Sequence, residues 1–119
     1  MTRVFVYGTL KQGGSNHGFL AGQHFVGDAR TTGGFALYEV ADYPGMVRSS
    51  DGTGSVTGEV WEVDAACLQQ LDALEGIDQG LYVREPVALE VPFAGQPVET
   101  YFYVRSIAGL RPIGPTWVG

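Results

Sequence analysis

Cysteine, histidine and basic residues are scarce in this chain of 119 residues, and each scarcity excludes a class of protein. A single cysteine, Cys67, excludes an internal disulfide and a cysteine-rich metal site. Seven basic residues against thirteen acidic ones give a net charge of −6, which argues against nucleic acid or an anionic membrane as the partner. The two histidines, His17 and His24, share no spacing that would place both on one metal ion, so we expect no metal.

Long apolar runs are absent as well. No stretch reaches the roughly 18 apolar residues of a membrane span, so we expect no membrane partner. Residues 1–10 show no charged leader before an apolar run, so we expect no signal peptide and a cytoplasmic location. The length fits one domain over residues 1–119, as a monomer or a small homo-oligomer.

Glycine, by contrast, is abundant, and it divides the chain into short β-type segments. Residues 2–7 are almost uniformly β-branched or aromatic, which predicts a buried central strand. Residues 8–18 are rich in glycine and polar residues and predict a loop, while residues 108–119 predict an irregular tail. We predict further strands at 24–32, 35–40, 55–63, 82–91 and 98–104, the last with two unlike faces.

One segment has a helical pattern, and it ends on a carboxylate that lies on the apolar side. Residues 64–74 begin with a capping Asp64 and are followed by Gly76. At 100° per residue, Glu75 falls within the arc of the leucines, where burial and the negative end of the helix dipole would raise its pKa. A carboxyl group adjusted in this way suits general acid–base catalysis. The alternative is that the helix ends at Leu74 and Glu75 meets water.

The loop after the first strand is a second candidate site. The run Tyr7-Gly8-Thr9-Leu10 can direct successive backbone N–H groups into a concavity that holds an anion or a polarised carbonyl oxygen. An ordinary turn is the alternative interpretation.

Four short motifs in order carry a resemblance that covers most of the chain. Their pattern resembles the gamma-glutamylcyclotransferase-like family, and within it the gamma-glutamylamine cyclotransferases and their small bacterial relatives. The motifs are Tyr7-Gly8-Thr9-Leu10, Tyr43-Pro44-Gly45 as a turn, Leu71-Asp72-Ala73-Leu74-Glu75-Gly76, and Tyr82-Val83-Arg84.

The resemblance implies an α+β fold, namely a small mixed β-barrel with short flanking helices and a pocket at one mouth. It also implies that Glu75 is the catalytic acid and base and that Tyr7, Gly8, Thr9 and Leu10 cradle a small γ-glutamyl substrate. The implied reaction needs no cofactor. The α-amine of the γ-glutamyl group attacks its own γ-carbonyl, which gives 5-oxoproline and a released amine or amino acid.

Other side chains have two interpretations each. Tyr82 and Tyr103 could bind substrate through their hydroxyls or could serve packing alone. Arg84 could bind a substrate carboxylate or form an ion pair with Glu85 or Glu62. In the tail, Trp117 could cap the pocket or seal an edge of the core.

Two further interpretations concern the thiol and the function itself. We expect Cys67 to be a buried, inert thiol. The alternative to an enzyme is a non-catalytic binding module for an amino-acid-like metabolite, which an ion pair between Glu75 and Arg84 would favour. The leaving group is left open by the sequence.

Overall fold

The computed structural model describes residues 1–118, which form eight strands and one α-helix. Two short 3₁₀ turns, His17–Leu20 and Ile77–Gln79, contact the helix, and the second of them also follows it directly in the sequence. The longer elements are β1 (Thr2–Val6), β2 (His24–Arg30), β3 (Phe35–Glu39), β4 (Pro44–Arg48), β5 (Thr57–Val63), α1 (Ala65–Leu74), β6 (Tyr82–Pro86), β7 (Glu99–Tyr103) and β8 (Arg111–Ile113).

All eight strands belong to one mixed sheet in the order β2-β5-β1-β7-β4-β3-β8, with β6 on the remaining edge of β7. Because β6 pairs along the whole of β7, the strands β1 and β4 share the opposite edge, and both run parallel to β7. The sheet therefore forks at β7. Within residues 1–118 no pairing joins β2 to β8, so the sheet is not closed and the barrel remains a prediction.

The central strand β1 separates two hydrophobic clusters. Phe5 and Tyr7 pack into one cluster, while Val4 and Val6 pack into the other beneath α1. This confirms the prediction of a strand buried on both faces. Strand β7 is also buried on both sides, since Phe102 and Tyr101 lie in opposite clusters. Its alternating sequence thus reflects two packed faces that differ in chemistry, and neither face is solvated.

Helix α1 begins and ends as its sequence predicts. Asp64 accepts a hydrogen bond from the Cys67 N–H at 2.8 Å, which satisfies one free donor of the first turn. Leu71 is fully buried on the inner side of the helix. At the other end Glu75 keeps helical dihedral angles, its N–H bonds to the Leu71 carbonyl, and Gly76 turns the chain with φ 68°.

Two strands lie where the sequence predicted none. Strand β4 overlaps the Tyr43-Pro44-Gly45 motif, for which the resemblance implies a turn, and Gly45 is essential to it because a Cβ there would lie 2.7 Å from the Tyr103 Cβ. Strand β8 lies in the tail that was predicted to be irregular, and it pairs Ile113 with Leu37 of β3. The other predicted strands are present with trimmed ends, and the glycine-rich loop closes on the first 3₁₀ turn.

The hydroxyl of Tyr7 fills the gap in the fork. It donates to the Tyr101 carbonyl of β7 at 2.6 Å and accepts from the Met46 N–H of β4 at 3.1 Å. Thr100, which is also fully buried, donates to the Phe5 carbonyl nearby at 2.7 Å. Side-chain hydroxyls thus bond to backbone groups of neighbouring strands where β1 and β4 diverge.

We expect Tyr7→Phe to lower the free energy of unfolding by about 1–3 kcal/mol, because it removes two buried hydrogen bonds to the backbone. Denaturant unfolding measures the loss. Tyr38→Phe is the matched control, since Tyr38 is half-buried in β3 and its hydroxyl bonds to no residue of the described part. Equal stability of the two variants would contradict the bridging role.

Candidate active site

A cavity of about 330 Å³ opens between the first loop and the end of helix α1. Its walls include the backbone of residues 7–10, the turn between β3 and β4, the last residues of the helix and the start of β6. Of the residues singled out from the sequence, the cavity brings together Glu75, Tyr7, Gly8, Thr9, Leu10 and Tyr82. Its volume is at the small end of the range for ligand pockets.

Tyr103 does not line this cavity. Its ring packs edge-on against Tyr82, with the ring centroids 5.5 Å apart, and it contacts the strand at Gly45. Tyr82 itself is buried and donates its hydroxyl to the Pro44 carbonyl at 2.6 Å. The two tyrosines therefore support the wall of the cavity with their rings.

The carboxyl group of Glu75 faces the cavity without a hydrogen-bond partner among residues 1–118. The helical conformation at position 75 keeps the side chain on the leucine side of α1, as the periodicity predicts. Burial raises the pKa of Glu75 to about 7, because a charged carboxylate loses hydration there and gains no donor in return. The group can therefore change protonation state near neutral pH.

Three tyrosines line the cavity together with Glu75, yet each donates its hydroxyl hydrogen bond to another group. The Glu75 charge contributes, after burial, to raising the pKa values of all three, Tyr7, Tyr82 and Tyr101. Tyr7 and Tyr82 donate to backbone carbonyls, and Tyr101 donates to a carboxylate of α1 at 2.7 Å. Since none of the three donates to Glu75, the effect of burial is not offset.

The carboxylate bound by Tyr101 belongs to Asp72, which also holds Arg84. Arg84 donates to both Asp72 oxygens at 2.9 and 3.1 Å and to Glu99 at 2.6 Å. Burial alone would raise the pKa of Asp72, but the bonds from Arg84 and Tyr101 lower it. The predicted ion pairs of Arg84 with Glu85 or Glu62 are wrong, and Arg84 is not bonded to Glu75 either.

The first loop presents unpaired donors to the same cavity. The N–H groups of Gly8, Thr9 and Leu10 donate to no protein group within residues 1–118. Asn16 holds the loop in place, because its backbone N–H donates to the Thr9 carbonyl at 2.9 Å and its side chain donates to the Thr9 hydroxyl at 3.0 Å. Consecutive unpaired amides of this kind can bind an anion or a developing oxyanion.

Two glycines allow this loop to fold so closely. A Cβ on Gly8 would lie 2.7 Å from the Pro44 ring, and a Cβ on Gly14 would lie 2.2 Å from the Thr9 carbonyl oxygen. The first contact brings the loop against the turn between β3 and β4, and the second folds it back on itself. Side chains at either position would displace the amides that line the cavity.

The remaining candidate residues have structural positions. Trp117 packs against the core and its carbonyl accepts from Lys11 at 2.8 Å, which matches the interpretation of a core seal. Cys67 is buried, and burial raises the pKa of its thiol, as expected of an inert residue. His17 bonds to the Leu10 carbonyl at 2.9 Å. Among residues 1–118, no group of three or more metal-binding side chains converges.

Ten further residues that the sequence did not indicate as site residues line the cavity, namely Phe5, Val6, Ser15, Asn16, Asp42, Tyr43, Pro44, Leu74, Leu81 and Tyr101. A signal existed for Tyr43, which belongs to the Tyr-Pro-Gly motif, and for Tyr101, which alternates along a predicted strand. Asp42 and Leu81 have no pattern of their own and reach the cavity only through long-range packing.

Comparison with known proteins relates the whole chain to one family. The family model described as "Gamma-glutamyl cyclotransferase, AIG2-like" matches residues 4–116. The gamma-glutamylcyclotransferase family protein YtfP of Escherichia coli K12 is 34% identical over 111 residues, which cover 93% of this chain and 90% of that protein. A Vibrio cholerae protein provisionally named a gamma-glutamylcyclotransferase is 44% identical over 90 residues, which cover 76% of this chain and 73% of that protein.

Solved structures agree with this relationship. A crystal structure of an AIG2-like protein from Mus musculus aligns with a TM-score of 0.75 at 28% identity, covering 97% of this chain and 87% of the mouse chain. The solution structure of YtfP aligns with a TM-score of 0.70 and covers 98% of this chain and 95% of its own. No helix in the described part of this chain is long and apolar enough to cross a membrane.

The raised pKa of Glu75 makes stability depend on pH. A carboxyl group whose pKa rises from 4.5 to about 7 on folding stabilises the fold while it is protonated, and this contribution is lost as the pH rises through that range. Glu75→Gln mimics the protonated form. We therefore expect the variant to match the wild type near pH 4.5 and to exceed its free energy of unfolding at pH 8 by up to about 3 kcal/mol. Denaturant unfolding at both pH values measures this difference, and a pH-independent difference would contradict the assignment.

Proposed function

The chain belongs to the gamma-glutamyl cyclotransferase, AIG2-like family, and on that premise we propose that it is a cofactor-independent γ-glutamyl cyclotransferase. The proposed reaction converts a γ-glutamyl amide into 5-oxoproline and a free amine, with Glu75 as general acid and base. One observation carries the proposal: an unpartnered carboxyl group with a pKa of about 7 shares a small cavity with three unpaired backbone amides.

The first step is a proton transfer. The α-amino group of a γ-glutamyl compound has a pKa near 8, so at neutral pH most of it is protonated and cannot attack. Glu75 in its carboxylate form accepts that proton, and the close match of the two pKa values keeps the transfer almost balanced in free energy. The freed nitrogen lone pair then attacks the γ-carbonyl carbon of the same molecule and forms the five-membered ring.

The second step is collapse of the tetrahedral intermediate. Negative charge grows on the carbonyl oxygen during attack, and the N–H groups of residues 8–10 are the donors available to stabilise it, each worth about 3 kcal/mol when well placed. Re-formation of the C=O bond breaks the bond to the leaving nitrogen, which takes the proton back from Glu75. The ring nitrogen must still lose one of its two remaining protons, and Glu75 accepts that proton and passes it to the released amine. The products are 5-oxoproline and the protonated amine, and Glu75 returns to its starting carboxylate state.

The remaining wall orients the substrate. Nucleophile and electrophile belong to one molecule, and such reactions reach effective molarities of about 10⁵–10⁸ M when the reacting groups are well aligned. We propose that Tyr7 and Tyr82 hold the folded substrate through their ring faces, because their hydroxyls are already bonded to the backbone. Tyr103 acts one step further away, by supporting the ring of Tyr82.

The alternative of a non-catalytic binding module is less well supported. That function called for Glu75 to be held as an anion by Arg84, whereas Arg84 is held by Asp72 and Glu99. A carboxyl group without any ion pair suits a residue that must both accept and release a proton.

Glu75→Gln tests the role directly. We expect the rate of 5-oxoproline release, measured with a γ-glutamyl amide that the wild type converts, to fall by about 10²- to 10⁴-fold. The reason is that a glutamine side chain can neither accept nor return a proton. Calorimetry with 5-oxoproline should still detect binding by the variant. Asp78→Asn is the matched control, since Asp78 is exposed three residues further along and does not line the cavity. A wild-type rate in Glu75→Gln would rule out the mechanism.

The pH dependence of turnover gives a second test. Because the free enzyme needs Glu75 as a carboxylate, kcat/KM should rise with pH through one deprotonation near 7. Steady-state rates of 5-oxoproline formation between pH 5 and 8 measure the profile. A rate that does not change over this range would be incompatible with Glu75 as the base.

A further inference from the structure

The mouth of the cavity carries an acidic and an aromatic residue side by side. Asp42 and Tyr43 stand in the turn between β3 and β4, and both line the cavity. Asp42 is exposed and forms no hydrogen bond or ion pair within residues 1–118. The Tyr43 ring is half-buried and lies 6.4 Å from that of Tyr82, and Leu81 adds an apolar surface beside it.

No basic side chain balances this carboxylate. All seven lysines and arginines of the chain lie in the described part, none of them lines the cavity, and each is bonded elsewhere. The pairs are Arg3 with Glu62, Arg30 with Glu90, Arg48 with Glu85, Arg84 with Asp72 and Glu99, Arg111 with Glu39, Lys11 with the Trp117 carbonyl, and Arg105 with the carbonyls of Gln79 and Gly80.

A cavity wall with the Asp42 carboxylate and, within residues 1–118, no cation discriminates between leaving amines by their charge. The reacting γ-glutamyl half must lie between Glu75 and the amides of the first loop, so the amine half extends toward the mouth. An anionic amine half would meet the Asp42 carboxylate and find no cation. A cationic one would meet a carboxylate and the face of an aromatic ring, which together favour an alkylammonium group.

We propose that Asp42 selects the substrate by the charge of its leaving amine, and that the preferred substrates are γ-glutamyl amides of alkyl diamines or polyamines. This inference rests on the proposed cyclotransferase function. It assigns to Asp42 and Tyr43 a part in specificity, and it assigns to them no part in the bond-making steps.

Three amides of equal chain length test the inference. They are the γ-glutamyl amides of 1,4-diaminobutane, butylamine and 4-aminobutyrate, whose free ends are cationic, neutral and anionic. For the wild type we expect kcat/KM for 5-oxoproline formation to fall in that order. Asp42→Asn should reduce the ratio of the cationic to the anionic substrate on the order of tenfold, the size expected of one carboxylate at a partly hydrated site. The butylamine derivative, whose free end is uncharged, is the reference to which the other two rates are scaled in each protein.

Asp28→Asn is the matched control, because it makes the same change in net charge at an exposed residue of β2 outside this cavity. It should leave all three rates unchanged. The role of Asp42 would be overturned if the wild type preferred the anionic substrate, or if Asp42→Asn did not alter the ratio of kcat/KM for the cationic and anionic substrates. Either result would leave the cyclotransferase function standing. An absence of 5-oxoproline from all three amides and from γ-glutamyl amino acids would overturn the proposed function and this inference with it.

Discussion

The site depends on a carboxyl group that shares its cavity with three tyrosines and is hydrogen-bonded to none of their hydroxyls. Glu75 lies near Tyr7, Tyr82 and Tyr101, any of which could lower its pKa by donating a hydrogen bond. Their protons instead go to two backbone carbonyls and to Asp72, and Arg84 saturates Asp72 in turn. The proton affinity of Glu75 is therefore set by how its neighbours are bonded to the rest of the sheet. If any of these hydroxyls donated to Glu75 instead, its anion would be stabilised and its pKa would fall, and the proposed chemistry depends on that raised pKa.

The hydrogen bonds of Tyr7 also connect the fork in the sheet with the geometry of the cavity. Tyr7 is the last residue before the loop of unpaired amides, and its hydroxyl joins β7 to β4 where β1 and β4 separate. The divergence of the two parallel strands creates the space at this end of the sheet, and the fixed position of Tyr7 determines where residues 8–10 begin. Gly8 then passes against Pro44, the first residue of β4. The loop is thus positioned by the strands that form the opposite side of the cavity. This fixes the position of the loop amides relative to the Glu75 carboxyl group.

Local patterns in the sequence were sufficient for the helix and for Glu75, because both depend on neighbours in sequence. Asp64 fixes the start of α1, Gly76 fixes its end, and the period of 3.6 places Glu75 among leucines. The partners of Arg84 could not be predicted in this way, since Asp72 and Glu99 come from the helix and from β7. Strand β4 could not be predicted for a similar reason: Pro44 and Gly45 are typical of a turn, and they form a strand because they pair with Glu39 and Tyr38 of β3. The cavity wall is assembled from such distant segments, so its charge could be known only from the fold.

The absence of a cation from the described cavity wall has a consequence for the acid itself. A γ-glutamyl substrate carries an α-carboxylate, and an arginine would be the usual partner for it. An arginine inside so small a cavity would also lie close to Glu75 and lower its pKa, which would weaken it as a base. Neutral donors avoid this conflict. The backbone amides of residues 8–10 are assigned to the carbonyl oxygen in the proposed reaction, and the side chains of Ser15 and Asn16, which also line the cavity, can bind a carboxylate without adding a positive charge. Binding the carboxylate of the proposed substrate with neutral donors adds no positive charge that would lower the pKa of Glu75, so substrate recognition and proton transfer can share a cavity of about 330 Å³.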